Sequence, residues 1–222
     1  MYCVANVLMG IADIMGEDYY TYTTKLFRRL SYIYDFIGII LSGTRTKVAA
    51  FTNAKKGSKI LDVATGTGKQ AFSFAKMGYE VIGIDLSEPM LRLAVRNNRY
   101  NNANFVLADA AKLPFKDEYF DICCMSLALH EMPLNIREEV LQEIFRVTRS
   151  NGTIMIMDYA RSPKNMLGRY FVHYIAKSFE SKYYPEFIHS DLDPLLERKG
   201  IKVTAEMSVT YGIFKIFKCN RS

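Results

Sequence analysis

From Ser58 to Tyr159 the chain alternates short apolar runs with amphipathic stretches, and this alternation limits the fold more than any other feature. The runs "SKILDV", "EVIGID", "NFVLAD", "FDICCMSLAL" and "GTIMIMDY" read as five strands. Between them "KQAFSFAKM", "SEPMLRLAVRNNRY" and "NIREEVLQEIFRVT" carry helical spacing. Ser87 is the expected cap of the second helix, with Glu88 and Pro89 in its first turn, and Asn135 the expected cap of the third. Strands separated by helices in this way imply a parallel sheet covered on both faces. Further on, "SDLDPLLERKG" is a helix closed by Gly200. The runs "IKVTAEMSV" and "YGIFKIFKC" alternate like strands but lie close in sequence, which favours an antiparallel pair over another crossover. The expected class is α/β: a doubly wound, mainly parallel, seven-stranded sheet with an antiparallel C-terminal strand.

Composition narrows the setting. The 222 residues are 50% hydrophobic and 23% charged, enough to bury a core without staples. A net charge of +6 is spread without a Lys/Arg block, so nucleic acid binding has no support. Cys3, Cys123, Cys124 and Cys219 form no C-x-x-C, which points to reduced thiols in a cytoplasmic protein; Cys123 and Cys124 read as packing residues. The apolar start "MYCVANVLMGIADIMG" lacks a basic lead and contains Asp13, so no secretory signal is expected. No apolar run reaches the roughly 18 residues of a spanning helix. Residues 1–56 are expected to be an N-terminal helical extension or lid, in which Leu26, Leu30, Ile33, Ile37 and Leu41 make an apolar stripe and Arg28 and Arg29 lie off it. That helix would pack on the main domain, or serve as a lid or membrane-surface helix. Residues 57–222 would form the main domain, with an aromatic, basic insert at 162–189.

The chemistry concentrates in "LDVATGTGKQ". Gly66 and Gly68 let backbone approach a ligand where the first strand turns into a helix, beyond the strand's carboxyl end. Asp85 closes the second strand about 20 residues on, where an acid accepts ribose hydroxyls. Asp109 closes the third strand, so Asp62, Asp85 and Asp109 are expected on one rim. A pyrophosphate wants backbone N–H groups without an adjacent acid. S-adenosylmethionine instead carries a sulfonium and an ammonium. One charge pair at about 4 Å and an effective dielectric near 20 interacts by about 4 kcal/mol before desolvation, so Asp62 sorts for the cationic cofactor.

These segments resemble class I S-adenosylmethionine-dependent methyltransferases. "ILDVATGTGKQAFSFAKMG" is similar to their glycine-rich motif, "VIGIDLSEPML" to their ribose-binding segment and "NFVLADAAKLPFKDEYFDIC" to their adenine-side segment. "LQEIFRVTRSNGTIMIMDY" resembles the following helix and strand, and "DVATGTG" with "YDFIGIILSGTR" looks most like the ubiquinone/menaquinone-biosynthesis C-methyltransferases. The resemblance implies a Rossmann-like fold and S-adenosyl-L-methionine as cofactor, leaving S-adenosyl-L-homocysteine. It also implies roles. Asp62 and the backbone of Ala64, Thr65, Gly66 and Gly68 would hold the methionine moiety. Asp85 would take the ribose and Leu86 pack on the adenine. Asp109 and Ala110 would meet the adenine edge, Ser126 would line the methionine side, and Tyr34 would close over the cofactor.

Methyl transfer asks mainly for alignment and exclusion of water, with orientation worth on the order of 7–11 kcal/mol in favourable cases. A base is needed only for an acceptor proton of high pKa. His130, after the fourth strand, is the catalytic candidate; the alternative is a loop histidine satisfied by Glu131 or backbone. His173 and His189 are structural or substrate-facing, and the three histidines lack metal-ligand spacing, so no metal is expected. Tyr170, Phe171, Tyr174, Tyr183 and Tyr184 form either an aromatic wall over an apolar or cationic acceptor, or a buried helical face. The expected partner is a small, apolar or aromatic, quinone-like molecule, with transient membrane-surface contact. A nicotinamide-dependent oxidoreductase is the rival, because Gly66, Gly68 and Ala71 nearly complete G-x-G-x-x-A. A non-catalytic cofactor-binding module is the second. Nucleic acid methylation is disfavoured because "SLALHEMP" stands where a base-holding Asn/Asp-Pro-Pro-Tyr segment would be.

Overall fold

A computed structural model describes residues 18–27, 42–161, 163, 165–176 and 180–221. Seven strands make one sheet: β1 (Lys59–Val63), β2 (Glu80–Asp85), β3 (Ala103–Leu107), β4 (Phe120–Ser126), β5 (Thr148–Tyr159), β6 (Ile201–Val209) and β7 (Phe214–Arg221). Their spatial order is β3-β2-β1-β4-β5-β7-β6. β1 pairs in parallel with both β2 and β4, so the strand order reverses at β1, the place where open α/β sheets bind ligands. β7 runs antiparallel to β5 and β6, as the close spacing of the last two runs implies.

The central strands carry apolar residues toward both sides because both faces are covered. Leu61, Val63, Cys123, Met125, Ile154 and Ile156 face one buried layer. Ile60, Ile122, Cys124, Met155 and Met157 face the other. Cys123 and Cys124 are buried packing residues, and burial pushes the Cys123 thiol up to about 12. Helices follow the apolar periodicity: α1 (19–27), α2 (Ser42–Phe51), α3 (Lys69–Lys76), α4 (Glu88–Asn97), α5 (Leu134–Val147), α6 (Met166–Tyr170), α7 (Tyr184–His189) and α8 (Leu192–Arg198). Of the N-terminal stripe, Leu26 is buried; Arg28, Arg29, Leu30, Ile33, Tyr34, Ile37 and Leu41 lie outside the described residues. Among the described residues no helix is long and apolar enough to cross a membrane.

Three boundaries differ from the expectation. β3 ends at Leu107, so Asp109 sits in the following turn. Ser87 occupies the cap position of α4, but its hydroxyl makes no cap bond; the Asp85 carboxylate takes the Ser87 N–H instead, at 2.8 Å. α5 begins one residue before Asn135, with Pro133 at the cap position, because its fixed φ of −67° and missing N–H suit a helix entrance.

Of the aromatics in the 162–189 segment, Tyr184 takes the buried face, while Tyr170 and Tyr174 stand at the surface. α6 continues into a π-helical turn, Phe171–Ile175. Val172, Ala176, Tyr184 and Ile188 form a small core, and the Tyr184 hydroxyl donates to the Val172 carbonyl at 2.7 Å. Tyr170 and Tyr174 are exposed and stack on each other with centroids 5.4 Å apart.

Gly68 shows how the sheet and α3 meet. Its φ is +80°, and a Cβ there would lie 2.9 Å from Phe72, 3.0 Å from Phe105 and 3.1 Å from Ala94. A left-handed backbone and a crowded approach both exclude a side chain. Gly68→Ala is expected to destabilise the fold by about 1–3 kcal/mol, read as a lowered urea midpoint with an unchanged m-value.

Candidate active site

The carboxyl ends of β1 to β4 open into one cleft of about 1160 Å³, counting the space at its mouth that is open to solvent. β1 and its turn supply Asp62, Ala64, Thr65 and Gly66; β2 supplies Asp85 and Leu86; the turn after β3 supplies Asp109 and Ala110; β4 supplies Ser126. The structure thus brings nine of the expected residues to one wall. Gly68 is not among them, since its role is the close packing of α3. Gly66 is the glycine that faces open space: a Cβ there would meet nothing within 4 Å.

The three acids sit on one rim but do different work. Asp85 Oδ2 accepts the Gly66 N–H at 2.7 Å and Oδ1 the Ser87 N–H at 2.8 Å. This carboxylate ties the glycine turn to the end of β2. Burial raises its pKa, and these backbone donors pull against that. Asp62 is 1% exposed and accepts the Thr65 hydroxyl at 2.5 Å. Burial pushes its carboxyl up to about 7, with Thr65 and then Arg45 opposing. Asp109 Oδ1 accepts the Ala111 N–H at 2.9 Å and shapes the turn after β3.

Two residues on this wall hold strained backbone. Ala64 has φ +53° and Leu127 φ +55°, at the ends of adjacent strands. Left-handed non-glycine residues cost of order 1–3 kcal/mol and gather at ligand sites. Ala64 lies within the glycine-rich motif, whereas no motif in the sequence marks Leu127.

His130 lies elsewhere than expected. It is buried in the turn Leu129–Glu131 and is not part of the cavity wall; its neighbour Glu131 is. Nδ1 of His130 lies 2.6 Å from Asp158 Oδ1, and Nε2 lies 3.2 Å from Glu180 Oε2 and 3.4 Å from Glu131 Oε1. Burial opposes charge on this imidazole, but Asp158 and Glu180 outweigh it and hold its pKa well above the usual value. Burial raises Glu131, with His130 opposing. His173 stacks on His189 and its Nε2 lies 3.1 Å from the Arg161 carbonyl, away from the wall. None of Tyr170, Phe171, Tyr174, Tyr183 and Tyr184 lines the cavity either.

Sequence reasoning missed the far wall. α1 contributes Tyr19, Thr23 and Phe27, α2 contributes Arg45, and α3 contributes Lys69 and Gln70. Tyr19, Thr23 and Phe27 repeat every four residues, a helical face visible in the sequence once the cavity is known. Gln70 is buried; its Nε2 donates to the Arg45 carbonyl at 3.3 Å, and its Oε1 has no hydrogen-bond partner among the described residues.

Known proteins share this architecture. A methyltransferase domain family matches residues 61–156. A ubiquinone/menaquinone biosynthesis C-methyltransferase of Bordetella avium is 30% identical over 177 residues, covering 74% of this chain and 68% of that protein. The corresponding Azotobacter vinelandii protein is 25% identical over 162 residues; the match covers 68% of this chain but spans only 63% of that relative's length. A SAM dependent methyltransferase of Aquifex aeolicus shares the fold, with a TM-score of 0.59 at 23% identity over 79% of this chain and 88% of its own. The chain therefore belongs to the class I S-adenosylmethionine-dependent methyltransferases, close to the ubiquinone/menaquinone-biosynthesis C-methyltransferase group.

Proposed function

We propose that the chain transfers a methyl group from S-adenosylmethionine to a ring carbon of an apolar, quinol-like acceptor. One observation carries the cofactor half of this reading: the Gly66 N–H, which a pyrophosphate would need, is already donated to Asp85. The same observation disfavours the nicotinamide rival. The quinol-like acceptor is supported by the ubiquinone/menaquinone C-methylation for which the Bordetella avium and Azotobacter vinelandii relatives are named. The apolar Phe27, Leu127, Met132 and Val140 on the cavity wall suit such a ring.

The residues present fit the cofactor. Asp62 is a buried carboxyl held near neutrality, and Gln70 Oε1 is a buried acceptor still to be satisfied; both suit an ammonium group. Asp85 keeps further lone pairs for two ribose hydroxyls. Leu86 would pack against the adenine, Asp109 and Ala110 would meet its edge, and Ser126 would line the methionine side. Tyr34, expected to close the site, lies outside the described residues; Tyr19 and Phe27 of α1 take that side of the wall. When bound, the cofactor supplies an electrophilic methyl group on a good leaving group. The chain's own part is to align the acceptor and keep water out. His130 is not carried forward as a base in contact with the acceptor, because it is buried behind Glu131.

An acceptor drawn from a bilayer accounts for a further feature. Met166, Leu167, Tyr170, Tyr174 and Tyr211 are all exposed, an apolar surface of the kind that meets a membrane or a partner. Flotation with anionic liposomes should carry the protein upward, and Leu167→Glu should reduce that; no association of the unaltered chain would remove the membrane part of the reading.

Asp62 gives the cofactor reading a pH signature. A cationic ligand binds its ionised form, so affinity for S-adenosylhomocysteine, whose ammonium remains, should rise up to about tenfold per pH unit below about pH 7 and level off above it. Asp62→Asn should flatten this profile in calorimetry. The ligand-free protein should show the opposite trend. Unfolded Asp62 ionises at its ordinary pKa while the folded group keeps its proton to about pH 7, so stability falls as pH rises through that window, by on the order of a few kcal/mol. Urea midpoints of Asp62→Asn should lose that decline.

A radiolabelled methyl-transfer assay with a demethylated quinol tests the acceptor. Binding of S-adenosylhomocysteine without transfer would overturn the acceptor alone. Tight NADH binding without either sulfur ligand would overturn the cofactor.

A further inference from the structure

We propose that His130, Glu131 and Glu180 form a binding site for one divalent first-row cation at the inner wall of the cavity. Their ligand atoms, His130 Nε2 and one carboxylate oxygen from each acid, all lie within 4.8 Å of one another. Sequence reasoning set metal aside because it sought spacing among the three histidines. Here one histidine joins two carboxylates, and Glu180 arrives from the aromatic segment.

The distances suit ligands around a cation as well as they suit a hydrogen-bonded ion pair. His130 Nδ1 sits 2.6 Å from Asp158 Oδ1, a short charge-assisted bond that places a proton on Nδ1. Nε2 then faces Glu180 Oε2 at 3.2 Å and Glu131 Oε1 at 3.4 Å. Charge-assisted N–H···O bonds are about 2.7–2.9 Å long. Ligands held about 2.0–2.2 Å from a tetrahedral cation stand about 3.3–3.6 Å apart; the Glu131 separation falls within that range and the Glu180 separation just short of it.

The surroundings have the form of a metal site's outer ring. Asp158 orients the imidazole through Nδ1 and is itself held by the Leu129 N–H at 3.0 Å and the Tyr159 N–H at 2.8 Å. The Tyr159 hydroxyl donates to Glu180 Oε1 at 2.5 Å, fixing the second carboxylate. Arg137 Nε donates to the Leu129 carbonyl at 3.0 Å and the Met132 carbonyl at 2.9 Å, clamping the turn that carries two of the ligands. Charge argues the same way. Asp158, Glu131 and Glu180 converge on one imidazole, while the Arg137 guanidinium is paired with Glu186. Buried carboxylates in such number are paired or hold a metal.

Glu131 is the member shared with the cavity wall, so a fourth ligand position would open toward the cavity. An acceptor hydroxyl or carbonyl oxygen is the ligand class that fits there. That last role rests on the quinol-like reading above; cation binding itself does not.

The test uses the full chain stripped with a chelator and titrated separately with Zn²⁺ and Mn²⁺ by calorimetry at about pH 7.5 and about pH 6. One equivalent of at least one ion should bind, more weakly at the lower pH because ligands must lose protons. Glu180→Gln and Asp158→Asn should each weaken binding about 10- to 100-fold. His173→Gln with His189→Gln should leave it unchanged. The added ion should also raise the unfolding temperature of the stripped wild type but not of Glu180→Gln. No uptake of either ion by the wild type, or stoichiometric uptake that Glu180→Gln leaves intact, would overturn the site and leave a cluster that shares protons only. Loss of uptake in the His173/His189 variant would overturn it too, by moving the ion elsewhere. Neither result depends on S-adenosylmethionine binding or methyl transfer.

Discussion

The glycine turn after β1 has its shape because a carboxylate on the next strand holds it. Asp85 accepts one N–H from Gly66 and another from Ser87, so a single half-buried group fixes both the glycine turn and the entrance to α4. Such a group costs desolvation, and its two backbone donors offset that. The bond also sets the chemistry of the site. A turn whose N–H points at a carboxylate is unavailable to a phosphate, and the same oxygens remain able to accept hydroxyl protons. Cofactor choice and local folding are therefore one interaction seen from two sides.

A second buried network joins parts of the chain that are distant in sequence. The turn Leu129–Glu131 meets the aromatic segment through Glu180 and Ser181, and α5 meets it through the Arg137–Glu186 pair. Tyr159 and Tyr184 pack edge-on against the His130 ring, at 5.0 Å and 6.0 Å. α1 reaches the same segment through Tyr22 and Tyr183, whose rings meet at 5.8 Å. The far wall of the cavity is thus anchored to polar groups, whereas the near wall rests on the sheet. Tertiary contacts of this kind give the aromatic segment its place without any regular periodicity of its own.

What was legible in the sequence follows this division. Strands buried on both faces leave continuous apolar runs, so β1, β2, β4 and β5 could be read directly, and the pairing of β6 and β7 followed from their short connection. Asp62, Asp85 and Asp109 were legible as a rim because each lies at or just beyond a strand's end. The failures were local or long-range. Ser87 and Asn135 have capping chemistry, but Asp85 and Pro133 won those positions through geometry the sequence does not display. Gly68 belongs to a ligand-type motif yet serves packing against Phe72 and Phe105. His130 was placed on the rim by its position after β4; the carboxylates of Asp158 and Glu180, both far along the chain, draw it inside. Arg45 and the α1 face carry no motif at all, and Gln70 has no distinguishing mark within the glycine-rich one, because only the folded cavity gives them a common purpose.

The antiparallel strand has a consequence for how the chain is made. β7 lies between β5 and β6, so β6 emerges from the ribosome before its one neighbour among the described strands exists. Until then residues 201–209 are an unpaired edge, the kind of segment that recruits other chains into aggregates. Lys202, Thr204, Glu206 and Ser208 occupy alternate positions along it, exposed in the finished sheet. Polar gatekeepers at that spacing keep one face of the waiting strand wet, and so protect the nascent protein during the interval before the hairpin closes.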